Sequence, residues 1–120
     1  MAKKILIVDD EADMINVTAF RLKRSGYDVL TAVNGQEGLD MIKDKAPDLV
    51  LLDLRIPIIS GFDLCKMVKA DDKTKHIPII FFTASSGLHV EEKVKEAGAN
   101  DYLIKPFDSE ELLNKIKKYI

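Results

Sequence analysis

The sequence is poor in the residues that staple a chain, grip a transition metal or cross a membrane. It has one cysteine, two histidines, four prolines and no tryptophan. A single cysteine, Cys65, excludes an internal disulfide, and its place in a helical pattern makes it a small buried hydrophobe. His76 and His89 stand far from any Cys–His spacing, which argues against zinc, and both are expected in surface loops. No apolar run approaches the roughly 18 residues of a membrane-spanning helix, and the N-terminus lacks the apolar core of a signal peptide. A cytoplasmic protein, away from membranes, is therefore expected. An excess of one charge is missing too: 18 basic against 20 acidic side chains leave −2. That balance gives no electrostatic footprint for nucleic acid, and the basic runs Lys3-Lys4 and 115–118 read as solvated ends.

What is present is alternation. At 120 residues with 47% apolar content, the chain is the size of one globular domain. Ile5-Leu6-Ile7-Val8 reads as a strand ended by Asp9-Asp10. A helix over 12–25 follows, with Ile15, Ala19 and Leu22 on one face and Gly26 as its stop. Residues 27–32 form a weaker strand, and Asn34 with Glu37 starts a helix whose inner face is Gly38, Leu39, Ile42 and Ala46, closed by Pro47. Leu49-Val50-Leu51-Leu52 is a third strand; residues 62–69 place Leu64, Cys65 and Val68 at helical spacing. Residues 77–82 form the fourth strand. Val90, Val94 and Ala97 mark a helix face that Gly98 terminates, with Glu91 able to pair with Lys95. Residues 102–104 form the fifth strand, and Asp108 with Glu111 starts a last helix burying Leu112, Ile116 and Ile120. Continuous apolar strands alternating with one-sided helices require a parallel sheet covered on both faces. The expectation is one α/β domain over 1–120, five strands and five helices, with no second domain after the fifth helix.

In such folds the chemistry lies beyond the carboxyl ends of the strands. Asp9 and Asp10 end the first strand, Asp53 follows the third, Thr83 ends the fourth and Lys105 follows the fifth. Taken alone, Asp10 with Asp13 three residues on reads as a helix cap, Thr83 as a strand residue and Lys105 as a solvated lysine. Asp53 resists such a reading, because Leu54-Arg55-Ile56-Pro57 follows it and no helix starts there. Three carboxylates at one sheet end repel one another and either hold protons or hold a cation. An all-oxygen site with room for water suits Mg²⁺, and a carboxylate beside a cation and a lysine can act as nucleophile toward phosphorus.

Four stretches, "ILIVDDE" (5–11), "LLDLRIPIISGFDL" (51–64), "IIFFTA" (79–84) and "AGANDYLIKPF" (97–107), resemble the motifs of the receiver domain of two-component response regulators, in order and spacing across essentially the whole chain. The resemblance implies a flavodoxin-like, doubly wound fold with strand order 2-1-3-4-5. It implies Asp53 as phosphoacceptor and Asp9 and Asp10 as the acidic pair for Mg²⁺, with the backbone carbonyl of Arg55 as a further ligand. Lys105 is implied to pair with phosphoryl oxygens, Thr83 to hydrogen-bond one of them, and Tyr102 to be an aromatic switch that turns inward as Thr83 moves. Pro106 resembles a cis-proline turn, and Arg55 and Ser85 occupy positions that tune dephosphorylation. Implied partners are a histidine kinase or phosphotransfer protein upstream and a protein target reading residues 87–120; a phosphorylation-dependent dimer is compatible with this. Such a domain catalyses only its own phosphorylation and dephosphorylation.

The pattern also departs from the family, with Ile56 for a common methionine, Ile58 for a frequent glycine and Ser60 for a frequent aspartate. A β-branched residue disfavours φ > 0, so Ile58 is expected outside the left-handed region, and Ile58-Ile59 is expected to serve partner docking rather than the core. Three competitors stand beside this reading. An aspartate-nucleophile phosphatase would carry a second aspartate at position 55, where Arg55 stands. An unphosphorylated interaction module would have lost part of the acid–threonine–lysine set. The chain as a piece of a longer DNA-binding regulator or hybrid kinase is not excluded by sequence.

Overall fold

The computed structural model describes residues 2–84 and 88–120. Five strands, β1 (Lys4–Val8), β2 (Asp28–Ala32), β3 (Leu49–Leu52), β4 (Ile79–Thr83) and β5 (Asp101–Ile104), alternate with five helices. These are α1 (Ala12–Arg24), α2 (Gly35–Lys45), α3 (Gly61–Ala70), α4 (Leu88–Ala97) and α5 (Ser109–Tyr119). The strands pair in parallel in the order β2-β1-β3-β4-β5, as the resemblance implied. β1 and β3 sit at the centre of the acid-bearing edge, with β2 at the rim.

Strand side chains alternate between faces, and this divides the core in two. Leu6, Val8, Val50, Leu52, Ile79 and Phe81 meet α2, α3 and α4 through Leu39, Ile42, Leu64, Cys65, Val68 and Ala97. Ile5, Ile7, Leu49, Leu51, Ile80 and Phe82 face α1 and α5, against Ile15, Ala19, Leu22, Leu112 and Ile116. Burying each such side chain contributes about 1.5–3 kcal/mol against the entropy of ordering the chain. Cys65 is fully buried and its Sγ donates to the Ala97 carbonyl at 3.4 Å; burial pushes its thiol up to about 12. No helix among the described residues is long and apolar enough to cross a membrane.

Local signals set most helix starts. The Asn34 side chain accepts from the Glu37 amide at 2.8 Å, Ser60 from Asp63 at 3.1 Å and Asp108 from Glu111 at 2.7 Å. Each cap contributes about 1 kcal/mol. Other local expectations are corrected. Asp10 does not cap α1: Glu11 is the N-cap residue and makes no side-chain cap bond. Ala46 is exposed, because it is the left-handed residue that closes α2 (φ +45) rather than part of its inner face. β4 starts at Ile79, two residues late, and Ile120 is only half-buried. His89 belongs to α4 rather than a loop.

The largest correction is at Ile58, which adopts φ +74. The Ile59 amide donates to the Pro57 carbonyl at 2.9 Å, closing a tight three-residue turn, and the Gly35 amide donates to the same oxygen at 3.1 Å. A Cβ on Gly35 would fall on the Ile59 backbone, so this loop is pressed against the start of α2. Tertiary pinning, not local preference, sets the dihedral. Ile58 is 75% exposed, whereas Ile59 packs partly against the core, so only Ile58 of the pair is free to meet a partner. Left-handed backbone costs a side-chain-bearing residue roughly 1–2 kcal/mol, and glycine costs about 0.5–1 in unfolded-state entropy. Ile58→Gly is therefore expected to stabilise the domain by about 1 kcal/mol, a rise in Tm of about 4 °C. Calorimetry showing no rise, or a fall, would contradict the strain argument.

Candidate functional site

The strand ends deliver their polar residues to one cleft. Asp9 is fully buried at the end of β1: its amide donates to the Ala32 carbonyl at 3.1 Å, and its Oδ1 accepts from the Glu11 amide at 3.0 Å. That second bond holds the turn from β1 into α1 and leaves Oδ2 for the ammonium of Lys105. Asp53 is held in parallel fashion, its amide donating to Val8 at 3.0 Å and its Oδ1 accepting from the Arg55 amide at 3.1 Å. Lys105 reaches over from β5. Its Nζ donates to Asp9 Oδ2 at 2.9 Å and Asp53 Oδ2 at 3.2 Å, and lies 3.6 Å from Glu11 Oε1. The Phe82 ring lies beneath that ammonium, 4.8 Å from centroid to Nζ, while the Lys105 amide donates to the Thr83 carbonyl at 2.8 Å. The Lys105–Pro106 peptide is cis.

Asp9, Asp10 and Asp53 each offer a carboxylate oxygen, and these atoms all lie within 4.8 Å of one another. Asp10 is exposed; the other two are buried. The cleft above them, about 400 Å³, is lined by Asp10, Glu11, Asp53, Arg55, Thr83, Ala84 and Lys105. Thr83 is buried at the end of β4. All the positions expected to converge therefore do so, except that Ser85 lies outside the described residues. Glu11 was not singled out from the sequence; its place directly after the Asp9-Asp10 pair was the only signal. Gly61 was also missed. Its amide donates to the Leu54 carbonyl at 3.0 Å, and a Cβ there would fall on the Asp53 carbonyl oxygen.

The electrostatics are those of a site short of positive charge. Burial pushes the Asp53 carboxyl above its ordinary value, and the Arg55 amide and the Lys105 ammonium only partly offset this. Lys105 moves up as well: burial would lower it, but its bond to Asp9 and the charges of Asp53 and Asp9 prevail. Two carboxylates less than 5 Å apart repel by about 3–4 kcal/mol at an effective dielectric of 20. Three carboxylates around one ammonium, with Asp10 beside two of them, leave an excess of negative charge that a hard divalent cation fits. Oxygen-only donors beside an open cleft exclude soft-metal preferences and leave room for water ligands.

Tyr102 is half-buried on β5, along the edge of the α2–α4 core. Its hydroxyl donates to Glu91 Oε1 on α4 at 2.8 Å, at the exposed surface. The Glu91–Lys95 pair expected from helical spacing is thus replaced by a contact between α4 and β5. That bond is also the main reason the phenol is pushed above its ordinary value.

The fold and the cleft define a class: a doubly wound α/β domain with a cluster of three carboxylates and one opposed lysine at the carboxyl edge of its sheet. The chain belongs to the response regulator receiver domain family, whose profile matches residues 5–117. It is 37% identical over 116 residues to the DNA-binding dual master transcriptional regulator RpaA of Synechocystis, covering 95% of this chain and 47% of that protein. The chain thus spans about half the length of that relative. Among solved structures, a response regulator from Chloroflexus aurantiacus superposes with a TM-score of 0.95 at 37% identity, covering 99% of this chain and 98% of that one. The receiver domain of a Pseudomonas aeruginosa sensor histidine kinase, solved with a magnesium ion coordinated in its active-site cleft, gives 0.91 at 28% identity over 99% and 98%.

Proposed function

We propose that this domain is a phosphorylation switch in which Asp53 is the phosphoacceptor. The observation that carries the reading is the Asp9–Lys105–Asp53 arrangement: one ammonium bonded to two buried carboxylates beneath an open cleft. Asp53 Oδ1 is engaged by the Arg55 amide, and among the described residues Oδ2 is bonded to Lys105 alone. A carboxylate oxygen attacks phosphorus, the bond from phosphorus to the donor's imidazole nitrogen breaks, and an acyl phosphate forms on Asp53. Lys105 follows the new negative charge, exchanging a carboxylate contact for a phosphoryl oxygen. Thr83, on the wall of the cleft, donates its hydroxyl to another such oxygen. Asp9, Asp10, Asp53 and the Arg55 carbonyl would hold Mg²⁺, which when bound neutralises the carboxylates and the equatorial phosphoryl oxygens.

The donor is a histidine kinase or phosphotransfer protein, and the phosphorylated state is read by a protein that recognises α4, β5 and α5. Recruitment of Thr83 to the phosphoryl group vacates space into which Tyr102 turns, so signalling is a shift between two packings of one fold. Apart from making and losing its own phosphate, the domain catalyses nothing. The DNA-binding regulator of which this chain covers 47% and the receiver domain of a sensor histidine kinase support a receiver that works within a larger regulatory chain or beside one.

Incubation with Mg²⁺ and a small phosphodonor such as acetyl phosphate, followed by intact-mass measurement, is expected to add one phosphoryl group per chain. The same incubation in a chelator is expected to add none. An unmodified mass with Mg²⁺ present refutes the assignment.

A further inference from the structure

Glu91 stands in the first turn of α4, where helix geometry offers it Lys95 as a partner. Its carboxylate instead accepts from the Tyr102 hydroxyl at 2.8 Å, tying α4 to β5 through one charge-assisted bond. The backbone of Tyr102 is already fixed on both sides. Its amide donates to Asp101 Oδ1 at 2.8 Å, and its carbonyl accepts from Lys115 Nζ at 2.8 Å. Lys115 in turn donates to Asp101 Oδ1 at 2.7 Å and lies 5.2 Å from the Tyr102 ring centroid. The Tyr119 hydroxyl holds the other Asp101 oxygen at 2.9 Å. With the main chain clamped to α5, the ring is the part of Tyr102 left to move, and its hydroxyl end is anchored at the surface. A ring that turns into the core must release Glu91.

We infer that Glu91 is a positioning residue that latches Tyr102 in its outward state and thereby sets how readily the domain switches on. The inference rests on the reading of Tyr102 as the switch, and it adds to it the group that biases the equilibrium. A ligand or modification shifts such an equilibrium only through differential contacts with the two states. The Tyr102–Glu91 bond exists in one state alone, so removing its acceptor favours the inward ring. Allowing for its exposure, such a bond is worth about a two- to fivefold change in population.

The test compares Glu91→Ala, Glu91→Gln, Tyr102→Phe and the double variant Glu91→Ala/Tyr102→Phe. Two readouts are used: ¹⁹F spectra of the 3-fluorotyrosine-labelled protein without phosphodonor, and the rate of phosphorylation by acetyl phosphate. The Tyr102 signal is assigned by its loss in Tyr102→Phe. Glu91→Ala is expected to move that signal toward a buried environment and to speed phosphorylation about two- to fivefold. Glu91→Gln keeps a carbonyl acceptor and is expected to stay near the parent in both. In the Tyr102→Phe background, Glu91→Ala is expected to change nothing. An unmoved Tyr102 signal in Glu91→Ala overturns the latch, and so does an equal acceleration in the Tyr102→Phe background. A parent protein that takes no phosphoryl group defeats the Asp53 assignment alone, and the fluorine spectra still decide the latch.

Discussion

Asp53→Asn is expected to abolish phosphoryl uptake completely while making the metal-free domain more stable. The chemical half follows from nucleophilicity: a carboxamide oxygen carries no charge to form the new bond, and no other carboxylate of the cluster has the same placement. Asp9 is fully buried and engaged by both Lys105 and the Glu11 amide, and Asp10 is exposed at the rim. The stability half follows from the sign of the shift. Burial raises the Asp53 carboxyl above its ordinary value of 3.8, so the folded state resists ionising it. The ionised group therefore costs stability, and the cost is fully present once the pH exceeds the raised folded value. It vanishes as the pH falls below 3.8, where the group is protonated folded or unfolded. Asparagine keeps the shape, keeps an acceptor for the Arg55 amide, and removes one of the like charges. An increase of about 1–2 kcal/mol at neutral pH in chelator is expected, shrinking toward zero in acid. Denaturant titrations of parent and variant at neutral and acidic pH check the second half, and intact mass checks the first. A variant that still gains a phosphoryl group, or one less stable than the parent at neutral pH, contradicts this account.

Gly61→Ala is expected to damage both the fold and the site. Gly61 opens α3 directly against the strand that carries Asp53, and its amide bonds to Leu54. A methyl group there would overlap the Asp53 carbonyl oxygen and lie 2.8 Å from both the Asp53 carbonyl carbon and Leu54 Cα. These are backbone atoms between a buried strand and a pinned loop, so they cannot swing aside as a side-chain tip would. Alanine is otherwise the better helix former by roughly 1 kcal/mol, which offsets only part of the overpacking. A net loss of about 2–3 kcal/mol is expected, with Tm lower by on the order of 10 °C. Because relief must come from shifting α3 or the Asp53 main chain, phosphorylation of the folded fraction should slow by at least about tenfold. Retained stability within about 0.5 kcal/mol, the scatter of an ordinary surface substitution, would show that the contact is not tight. The equivalent clash at Gly35 lies against Ile59 rather than Asp53, so Gly35→Ala separates a loss of stability from displacement of the phosphoacceptor.

Much of this site was legible before any tertiary contact was known. Ile5-Leu6-Ile7-Val8 and Leu49-Val50-Leu51-Leu52 read as strands buried on both faces, and a parallel sheet brings the carboxyl ends of all its strands to one edge. Asp9, Asp53, Thr83 and Lys105 follow strand ends, so their convergence is a matter of topology. Spacing along the chain is irrelevant to it, as the 2.9 Å contact between Lys105 and Asp9 shows. Glu91 and Ile58 were misread for a shared reason. Helical spacing offered Glu91 a partner on its own helix, and hard-sphere preference kept Ile58 out of the left-handed region. Both are local arguments, and both lose to a neighbour distant in sequence: a tyrosine hydroxyl on β5 for one, the start of α2 for the other.

The sequence by itself determined the alternation of strand and helix, a parallel sheet covered on both faces, and the set of carboxylates, hydroxyl and ammonium at the carboxyl edge. These depend on periodicity and on turn and cap residues, interactions that span a few positions. The tertiary structure alone decided that Glu11 joins Lys105, that Gly61 must lack a side chain, that Ile58 is held at positive φ, and that Tyr102 is tied to Glu91. Each of these depends on how closely two separately formed elements approach. That separation is fixed by packing volume and hydrogen-bond geometry summed over the whole domain, which no short stretch of sequence carries.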